Sequence, residues 1–312
     1  MAKEKLDTGA GCNREPCADR GLVFAVIASY NRVAFTLDML RQLEQQTVPP
    51  DAVILVDDAS TDGTVEQVKA RFPRVRIVCG PGDWFWCRSM HMGVREALKE
   101  AVPGDFLLML NDDLQIRPDF VERLLAAARL KPGCVLHAAN APVGNPDVIQ
   151  FGGMKMDWGK VTSSPINKGR LFSDFDAGHC EPTDCVWGRG LLVPVEAVLK
   201  AGNYSWRIPH RGDNEFAFRL ARYGFPLVVA YDAVAYTHDD ELGAAWIHPE
   251  YRLKNFGSFF FGVRSNGSLR TAFWTAMGCS TAWWYRIYFF FMTTCRLAGH
   301  FFTHVRIRPK FR

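Results

Sequence analysis

The chain is predicted to fold as a doubly wound α/β sheet followed by a helical extension that is basic and aromatic. Two observations lead to this fold class. Short apolar runs alternate with amphipathic helical patterns in the first part of the chain, which is the order of elements in a parallel sheet covered by helices on both faces. Residues 251–312 then contain ten Lys and Arg, no Asp or Glu, and 17 of the 40 aromatic residues.

Four strands are predicted from apolar runs that are continuous rather than alternating. This pattern is typical of strands that are buried on both faces of a sheet. The four runs are Leu22–Ala28, Ala52–Val56, Arg74–Cys79 and Phe106–Leu110.

Helices are predicted between and after these strands, because apolar residues recur there at helical spacing. They are Val33–Gln46, Thr64–Phe72, Met90–Lys99 and Pro118–Leu130. A Ser-Thr-Asp-Gly turn precedes the second helix and supplies cap groups. Pro118 suits the first turn of the fourth helix, where its missing N–H is not needed.

Acidic residues follow two of the predicted strands, at the edge of the sheet where ligands bind in doubly wound folds. Asp57-Asp58 ends the second strand, and Asn111-Asp112-Asp113 ends the fourth. Carboxylates repel phosphate, but they hold Mg²⁺ or Mn²⁺, which binds phosphate. The alternative is that both motifs form turns that cap the following helices.

Other common sites are disfavoured by the sequence. Neither a G-x-G-x-x-G nor a P-loop motif follows the first strand, which argues against dinucleotide and P-loop nucleotide sites. The nine cysteines lack paired Cys-x2-Cys spacing, so a zinc ribbon is not expected. Residues 1–20 lack the apolar region of a signal peptide and are expected to be flexible, and free thiols indicate a cytoplasmic location.

Several ordered motifs resemble family 2 glycosyltransferases, which have the GT-A fold. They are Val-Ile-Ala-Ser-Tyr-Asn-Arg at 26–32, Val-Asp-Asp-Ala-Ser-Thr-Asp-Gly-Thr at 56–64, Leu-Asn-Asp-Asp at 110–113, Gly-Arg-Gly at 188–190 and Pro-His-Arg-Gly-Asp-Asn-Glu-Phe at 209–216. The segment Gly82–Trp86, with Met90 and Gly93, is similar to the rhamnosyltransferase-like branch. The resemblance covers roughly residues 22–240.

The resemblance implies a GT-A domain, with a doubly wound mixed sheet, over residues 21–240. Its nucleotide-binding half would be residues 21–115 and its acceptor half residues 116–240, followed by the tail at 241–312. The residues implied to bind the nucleotide sugar are Ser29, Asn31, Arg32, Asp57, Asp58, Trp86, Asp112 and Arg189. Trp86 and its neighbours could equally pack as core.

The same resemblance implies an inverting transfer from a nucleotide-diphosphate sugar to a glycan or lipid-linked acceptor. Asp113 would hold Mg²⁺ or Mn²⁺, since the family's first Asp is Asn111 here, and His238 would complete the metal site. Asp213 would be the general base, with Glu215 as the fallback. Asp213 opens a predicted helix, Asp213–Tyr223, whose residues Phe216, Leu220 and Tyr223 are expected to face inward.

Two other functions compete with this interpretation. A nucleotidyltransferase that forms nucleotide sugars would share the sheet and the metal, but its basic Gly-rich loop after the first strand is missing. A non-catalytic binding module would not need Asp57, Asp113 and Asp213 intact.

The tail has three open interpretations. Arg286 interrupts its apolar segment, which disfavours a transmembrane helix. Basic residues among Trp and Phe fit a helix that lies in the interface of an anionic membrane, at the cytoplasmic face. The alternative is a helical pair that closes the domain or forms a homo-oligomer contact. Nucleic acid is not expected as a partner, because no binding motif accompanies the charge.

Overall fold

The computed structural model describes residues 20–238, 255–263, 265 and 267–304. The predicted flexible segment 1–20 therefore lies outside the described residues except for Arg20, and so do Asp239-Asp240-Glu241 and the last eight residues.

The chain forms eleven named strands and nine α-helices in its described part. In order they are β1 (Val23–Ser29), α1 (Val33–Glu44), β2 (Ala52–Asp57), α2 (Thr64–Arg71), β3 (Arg76–Cys79), α3 (Phe85–Ala97), β4 (Phe106–Asn111), β5 (Leu114–Ile116), α4 (Phe120–Leu130), β6 (Val135–Pro142), β7 (Met154–Asp157), β8 (Thr162–Pro165), β9 (Cys180–Pro182), β10 (Leu191–Pro194), α5 (Val195–Ala201), α6 (Asp213–Arg222), β11 (Leu227–Thr237), α7 (Phe256–Phe261), α8 (Leu269–Cys279) and α9 (Trp283–His304).

Nine of the strands form one mixed sheet in the order β3-β2-β1-β4-β10-β6-β11-β5, with β9 also paired to β11. The four strands predicted from apolar runs are parallel neighbours. Strand β10 lies antiparallel between β4 and β6 and joins the two halves of the sheet. The predicted doubly wound mixed sheet is confirmed.

Helices cover both faces of the sheet, because successive side chains of each strand point to opposite sides. On β1, Val23, Ala25 and Ile27 face a core shared with α1, α2 and α4. Phe24 and Val26 face the opposite core, which is shared with α3, α5 and α6. Both faces of β1 are therefore fully buried.

Several helix bounds differ from the prediction; α1 and α3, for example, each end two residues earlier, at Glu44 and Ala97. Helix α3 begins at Phe85 rather than Met90, because the carboxylate of Asp58 accepts the free N–H groups of its first turn. Helix α4 begins two residues after Pro118, whose carbonyl instead accepts the N–H of Thr47. Tyr223 was predicted to face inward, but it follows the last residue of α6 and is 51% exposed.

The tail forms helices that pack on α6 and on the β7–β8 hairpin. Helix α8 lies against α6, and Arg222 of α6 donates to the carbonyls of Gly278 and Ser280. Helix α9 lies against the β7–β8 hairpin, where the Tyr285 hydroxyl donates to the carbonyl of Trp158 at 2.6 Å. Within the described residues, no helix combines the length and the hydropathy needed to cross a membrane.

Candidate functional site

Three parallel strands bring the predicted acidic motifs to one edge of the sheet. In the β1–β2 ladder Ser29 pairs with Asp57, and in the β1–β4 ladder Ala28 pairs with Asn111. Asp112 directly follows Asn111. The carboxyl ends of β1, β2 and β4 therefore lie side by side, as expected for the ligand-binding edge of such a sheet.

One arginine connects the two carboxylates that follow β4. Nη1 of Arg32 donates to Oδ1 of Asp112 at 3.1 Å and to Oδ2 of Asp113 at 2.9 Å. The side chain of Asp112 is only 3% exposed, whereas that of Asp113 is 22% exposed. Asp113 is thus the carboxylate of the pair that a ligand can reach from solvent.

Asp112 is held from inside the fold. Thr36 donates to its Oδ2 at 3.4 Å, and the hydroxyls of Thr36 and Ser29 lie 2.7 Å apart. Burial raises the pKa of Asp112 to about 6, against the opposing effects of Arg32 and Ser29. Ser29 is itself buried and supports Asp112, and its contact with the nucleotide sugar stays a prediction.

Asn31 ties the loop after β1 to the loop after β2. Its backbone N–H donates to Oγ of Ser60 at 2.8 Å, and its Oδ1 accepts the N–H of Thr61 at 2.7 Å. Asn31 has a φ of 51°, a left-handed conformation that Asn tolerates better than most residues. The predicted donor-binding loop is therefore braced by its neighbour.

The adjacent aspartates at the end of β2, Asp57 and Asp58, differ in what their oxygens contact. For Asp57, Oδ2 accepts the N–H of Ser60 at 2.9 Å, while Oδ1 is buried and has no hydrogen-bond partner among the described residues. Such an orphaned acceptor at a ligand-binding edge is suited to an N–H or hydroxyl donor from a ligand.

Asp58, by contrast, is occupied by the backbone. Its oxygens accept the N–H groups of Gly82, Trp84 and Phe85 at 2.8 to 3.0 Å. The carboxylate of Asp58 therefore holds the loop that leads into α3, and its contact with the nucleotide sugar stays a prediction.

Trp86 connects the acidic edge with the acceptor half. Its Nε1 donates to Oδ1 of Asn111 at 2.9 Å, and its ring meets Tyr204 edge-on with centroids 5.4 Å apart. Gly188 lies so close that a Cβ there would be 1.9 Å from the Trp86 ring. Of its two predicted roles, packing is the one that these contacts support.

Asp213 is the first residue of α6 and is held by Tyr204. The Tyr204 hydroxyl donates to its Oδ1 at 3.5 Å, and the ring of Tyr204 stacks on Phe216 at 4.2 Å. Burial raises the pKa of Asp213 to about 6, although Tyr204 and the charge of Arg189 favour its ionised form. A carboxylate with this pKa can accept a proton near neutral pH.

Glu215 forms a buried ion pair. Nε of Arg219 donates to Oε1 of Glu215 at 2.7 Å and Nη2 donates to Oε2 at 3.0 Å. Gly278 of α8 covers the pair, since a Cβ there would lie 2.9 Å from Oε1. Both oxygens are occupied and enclosed, which favours Asp213 over Glu215 as the base; the assignment of Glu215 as fallback stays a prediction.

His238 and Arg189 lie at the borders of the site. Thr237 pairs with Leu114 in the β11–β5 ladder, so the exposed His238 and Asp113 flank the same end of that ladder. Arg189 is half-buried, with its guanidinium 5.9 Å from the ring centre of Trp187. Across the described part of the chain, no three His, Cys, Asp or Glu side chains form a group that could hold a metal.

Two contacts of this site were missed by the sequence analysis. Tyr204 carries no motif and lies in a loop nine residues before Asp213. Thr36 lies on the buried side of α1 and carries no recognisable signal for contact with Asp112. The Gly-Arg-Gly motif could have indicated the close approach of Trp86, because glycine permits a neighbouring ring to pack on the backbone.

Residues 24–189 match the family model described as glycosyl transferase family 2. An uncharacterized glycosyltransferase of Haemophilus influenzae (strain Rd) is 30% identical over 122 residues, which are 38% of this chain and 40% of that protein. The chain thus aligns with less than half the length of this curated relative.

Solved structures with nucleotide sugars have a similar fold. The mannosyltransferase PcManGT from Pyrobaculum calidifontis, in complex with GDP-Man and Mn²⁺, has a TM-score of 0.57 and 16% identity over 92% of this chain and 72% of its own. Staphylococcus aureus TarS 1-349, in complex with UDP-GlcNAc, has a TM-score of 0.56 and 14% identity over 93% and 76%. At these identities the likeness concerns the fold, which is GT-A.

Asp58→Ala is expected to destabilise the protein and to loosen the loop before α3. Three backbone N–H groups lose their acceptor, so the free energy of unfolding should fall by about 2–4 kcal/mol in urea titrations. Hydrogen exchange at Gly82, Trp84 and Phe85 should accelerate. Asp83→Ala is the matched control, because Asp83 lies exposed in the same loop. Equal stability of the two variants would refute this role of Asp58.

Proposed function

Because this chain belongs to glycosyl transferase family 2, we propose that it transfers a sugar from a nucleotide-diphosphate sugar to a hydroxyl group of a glycan or lipid-linked acceptor. The transfer inverts the anomeric configuration and takes place at the cytoplasmic face of the membrane. One observation supports it most: contacts run from Asn111 through Trp86 and Tyr204 to Asp213, so the acidic edge and the half-buried carboxylate at the start of α6 belong to one site. The rhamnosyltransferase-like branch remains a prediction.

The donor binds at the edge formed by β1, β2 and β4. The orphaned Oδ1 of Asp57 accepts an N–H of the base or a hydroxyl of the ribose. Asn31 and Arg32 lie beside it on the braced loop, where the Arg32 guanidinium offers donors to the diphosphate. Arg189 provides a further positive charge next to Asp213.

The donor set at this edge fits a divalent cation. Mg²⁺ is commonly bound by one or two carboxylates together with substrate phosphates and water, so a complete protein cage is not required. Asp113, with its reachable carboxylate, and His238, at the same end of the β11–β5 ladder, are the residues that would hold the ion. Carboxylate and imidazole together also suit Mn²⁺. When bound, such an ion neutralises negative charge on the diphosphate.

Asp213 acts as the general base. It takes the proton of the acceptor hydroxyl while that oxygen attacks the anomeric carbon, and the bond from this carbon to the diphosphate oxygen breaks on the opposite side. The nucleoside diphosphate leaves with the electron pair, so a single displacement inverts the configuration. Asp213 stands at the start of a helix and is fixed by Tyr204, so its carboxylate is held in position for this step.

Asp113→Ala is expected to abolish the metal dependence of donor binding. In calorimetric titrations with UDP-, GDP- and dTDP-sugars, Mn²⁺ should tighten binding of the cognate donor to the unaltered protein by about tenfold or more, because it offsets charge repulsion at the acidic edge. The exposed Asp147→Ala variant should behave like the unaltered protein. If Asp113→Ala retains the full effect of Mn²⁺, the metal assignment is wrong; if no nucleotide sugar binds at all, so is the proposed function.

Asp213→Asn is expected to lower kcat by about 10²–10⁴-fold, because the amide cannot take up the proton. Donor affinity should stay within error of the unaltered protein, since the donor binds at the opposite side of the Trp86 contact. Turnover with the acceptor and donor binding by calorimetry check the two parts separately. A variant with near-normal kcat would exclude Asp213 as the base.

Tyr204→Phe is expected to move the acidic limb of kcat/KM to higher pH. Activity requires ionised Asp213 and should rise through about pH 6. Loss of the Tyr204 hydroxyl removes a hydrogen bond to the ionised form, so the pKa of Asp213 rises further. Tyr236→Phe, on strand β11, is the control. An unshifted limb with unchanged stability would show that Tyr204 only packs.

A further inference from the structure

Helix α9 has two apolar faces. Its inner face is packed on the acceptor half, where Phe289 is 5% exposed and contacts Phe218. Its outer face carries a second row of large apolar side chains, each between 56% and 61% exposed. We call Trp284, Ile287, Phe291 and Phe302 the outer stripe.

The spacing of the outer stripe follows the helix period. Trp284, Ile287 and Phe291 are three and four residues apart, and the exposed Cys295 and Gly299 continue the row to Phe302. Trp283 stands beside the row and is 72% exposed. Isolated apolar residues on a surface need no explanation, but a continuous row along one helix marks an interaction surface.

The charge of the tail indicates the partner. Residues 251–312 carry ten basic and no acidic side chains, whereas residues 1–250 carry 27 basic and 33 acidic ones. Arg286 and Arg296 on α9 donate to backbone carbonyls, and no described carboxylate forms an ion pair with either of them. The basic composition of the tail favours a negatively charged partner, which an anionic lipid surface is and a second copy of the same basic tail is not.

We propose that the outer stripe of α9 docks the protein onto the surface of an anionic lipid bilayer. Apolar side chains enter the interface while basic residues attract the acidic headgroups. The helix lies along the surface rather than across the bilayer, because its inner face is bound to the protein and it carries Arg286 and Arg296. Trp283 and Trp284 at its start are of the residue type that favours membrane interfaces.

The docking surface is mechanically joined to the acceptor half. Helix α8, which precedes α9, packs on α6, and α6 begins with Asp213. Docking would hold the acceptor half at the membrane, where the hydroxyl group of a lipid-linked acceptor is available. This consequence, unlike the docking itself, rests on the proposed function.

Vesicle binding of the full chain tests the proposal without any nucleotide sugar present. Sedimentation with phosphatidylcholine–phosphatidylglycerol vesicles should pull down the unaltered protein, pure phosphatidylcholine vesicles should do so far less, and added salt should weaken binding. The triple variant Trp284→Ser, Ile287→Ser, Phe291→Ser should lose about tenfold or more in partitioning. The control triple variant Leu130→Ser, Leu199→Ser, Tyr223→Ser removes apolar side chains that are 39–61% exposed elsewhere and should bind normally.

Three outcomes would overturn the proposal. Equal binding of both triple variants to anionic vesicles would show that the outer stripe has no role. Equal binding to neutral and to anionic vesicles would show that the protein does not select anionic lipid. Self-association of the unaltered protein in light scattering, if it is lost in the Trp284→Ser, Ile287→Ser, Phe291→Ser variant and no vesicle binding is seen, would assign the surface to a second copy. The vesicle assay contains neither donor nor acceptor, so its result does not depend on whether the proposed reaction takes place.

Discussion

Four carboxylates meet at one edge of the sheet, and their mutual repulsion has to be balanced for the parallel strands to end there. Asp57 ends β2 and Asp58 follows it, while Asp112 and Asp113 follow β4. Arg32 balances the second pair by donating to both of its members. Backbone N–H groups balance Asp58 instead. The loops after β1, β2 and β3 are shaped by these contacts, so the form of the site follows from how its negative charge is neutralised.

Two of these four carboxylates remain available to a ligand. One oxygen of Asp57 is buried with no hydrogen-bond partner among the described residues, and Asp113 is reachable from solvent. A buried acceptor without a donor raises the free energy of the folded protein, and a ligand that supplies the donor recovers this free energy on binding. The residues that look most alike in sequence, Asp57 and Asp58, therefore divide into one that is open to a ligand and one that builds the loop.

The fold of the first half could be predicted because its central strands are covered on both faces and appear as continuous apolar runs. Strands β7 and β8 gave no such signal, since they form a separate two-stranded hairpin with mostly exposed side chains. At the site, Asp213 was recognisable from its motif. Tyr204 was not, because a buried tyrosine that donates to a carboxylate has the same sequence pattern as one that only packs. The enclosure of Glu215 could not be predicted for a related reason: its partner Arg219 is four residues further along the chain, but the sequence does not show that α8 covers the pair.

The ion pair of Glu215 and Arg219 connects the tail with the proposed chemistry. Beyond its bonds to Glu215, Arg219 donates to the carbonyls of Ala201, Gly202 and Asn203, the residues that lead to Tyr204. Helix α8 covers the pair, and Gly278 is required there because a side chain would collide with Glu215. The position of Tyr204, and through it that of Asp213, thus depends on a helix of the basic tail. A surface that α9 presents to a membrane would then be fixed relative to the base, because α8 contacts both α9 and α6.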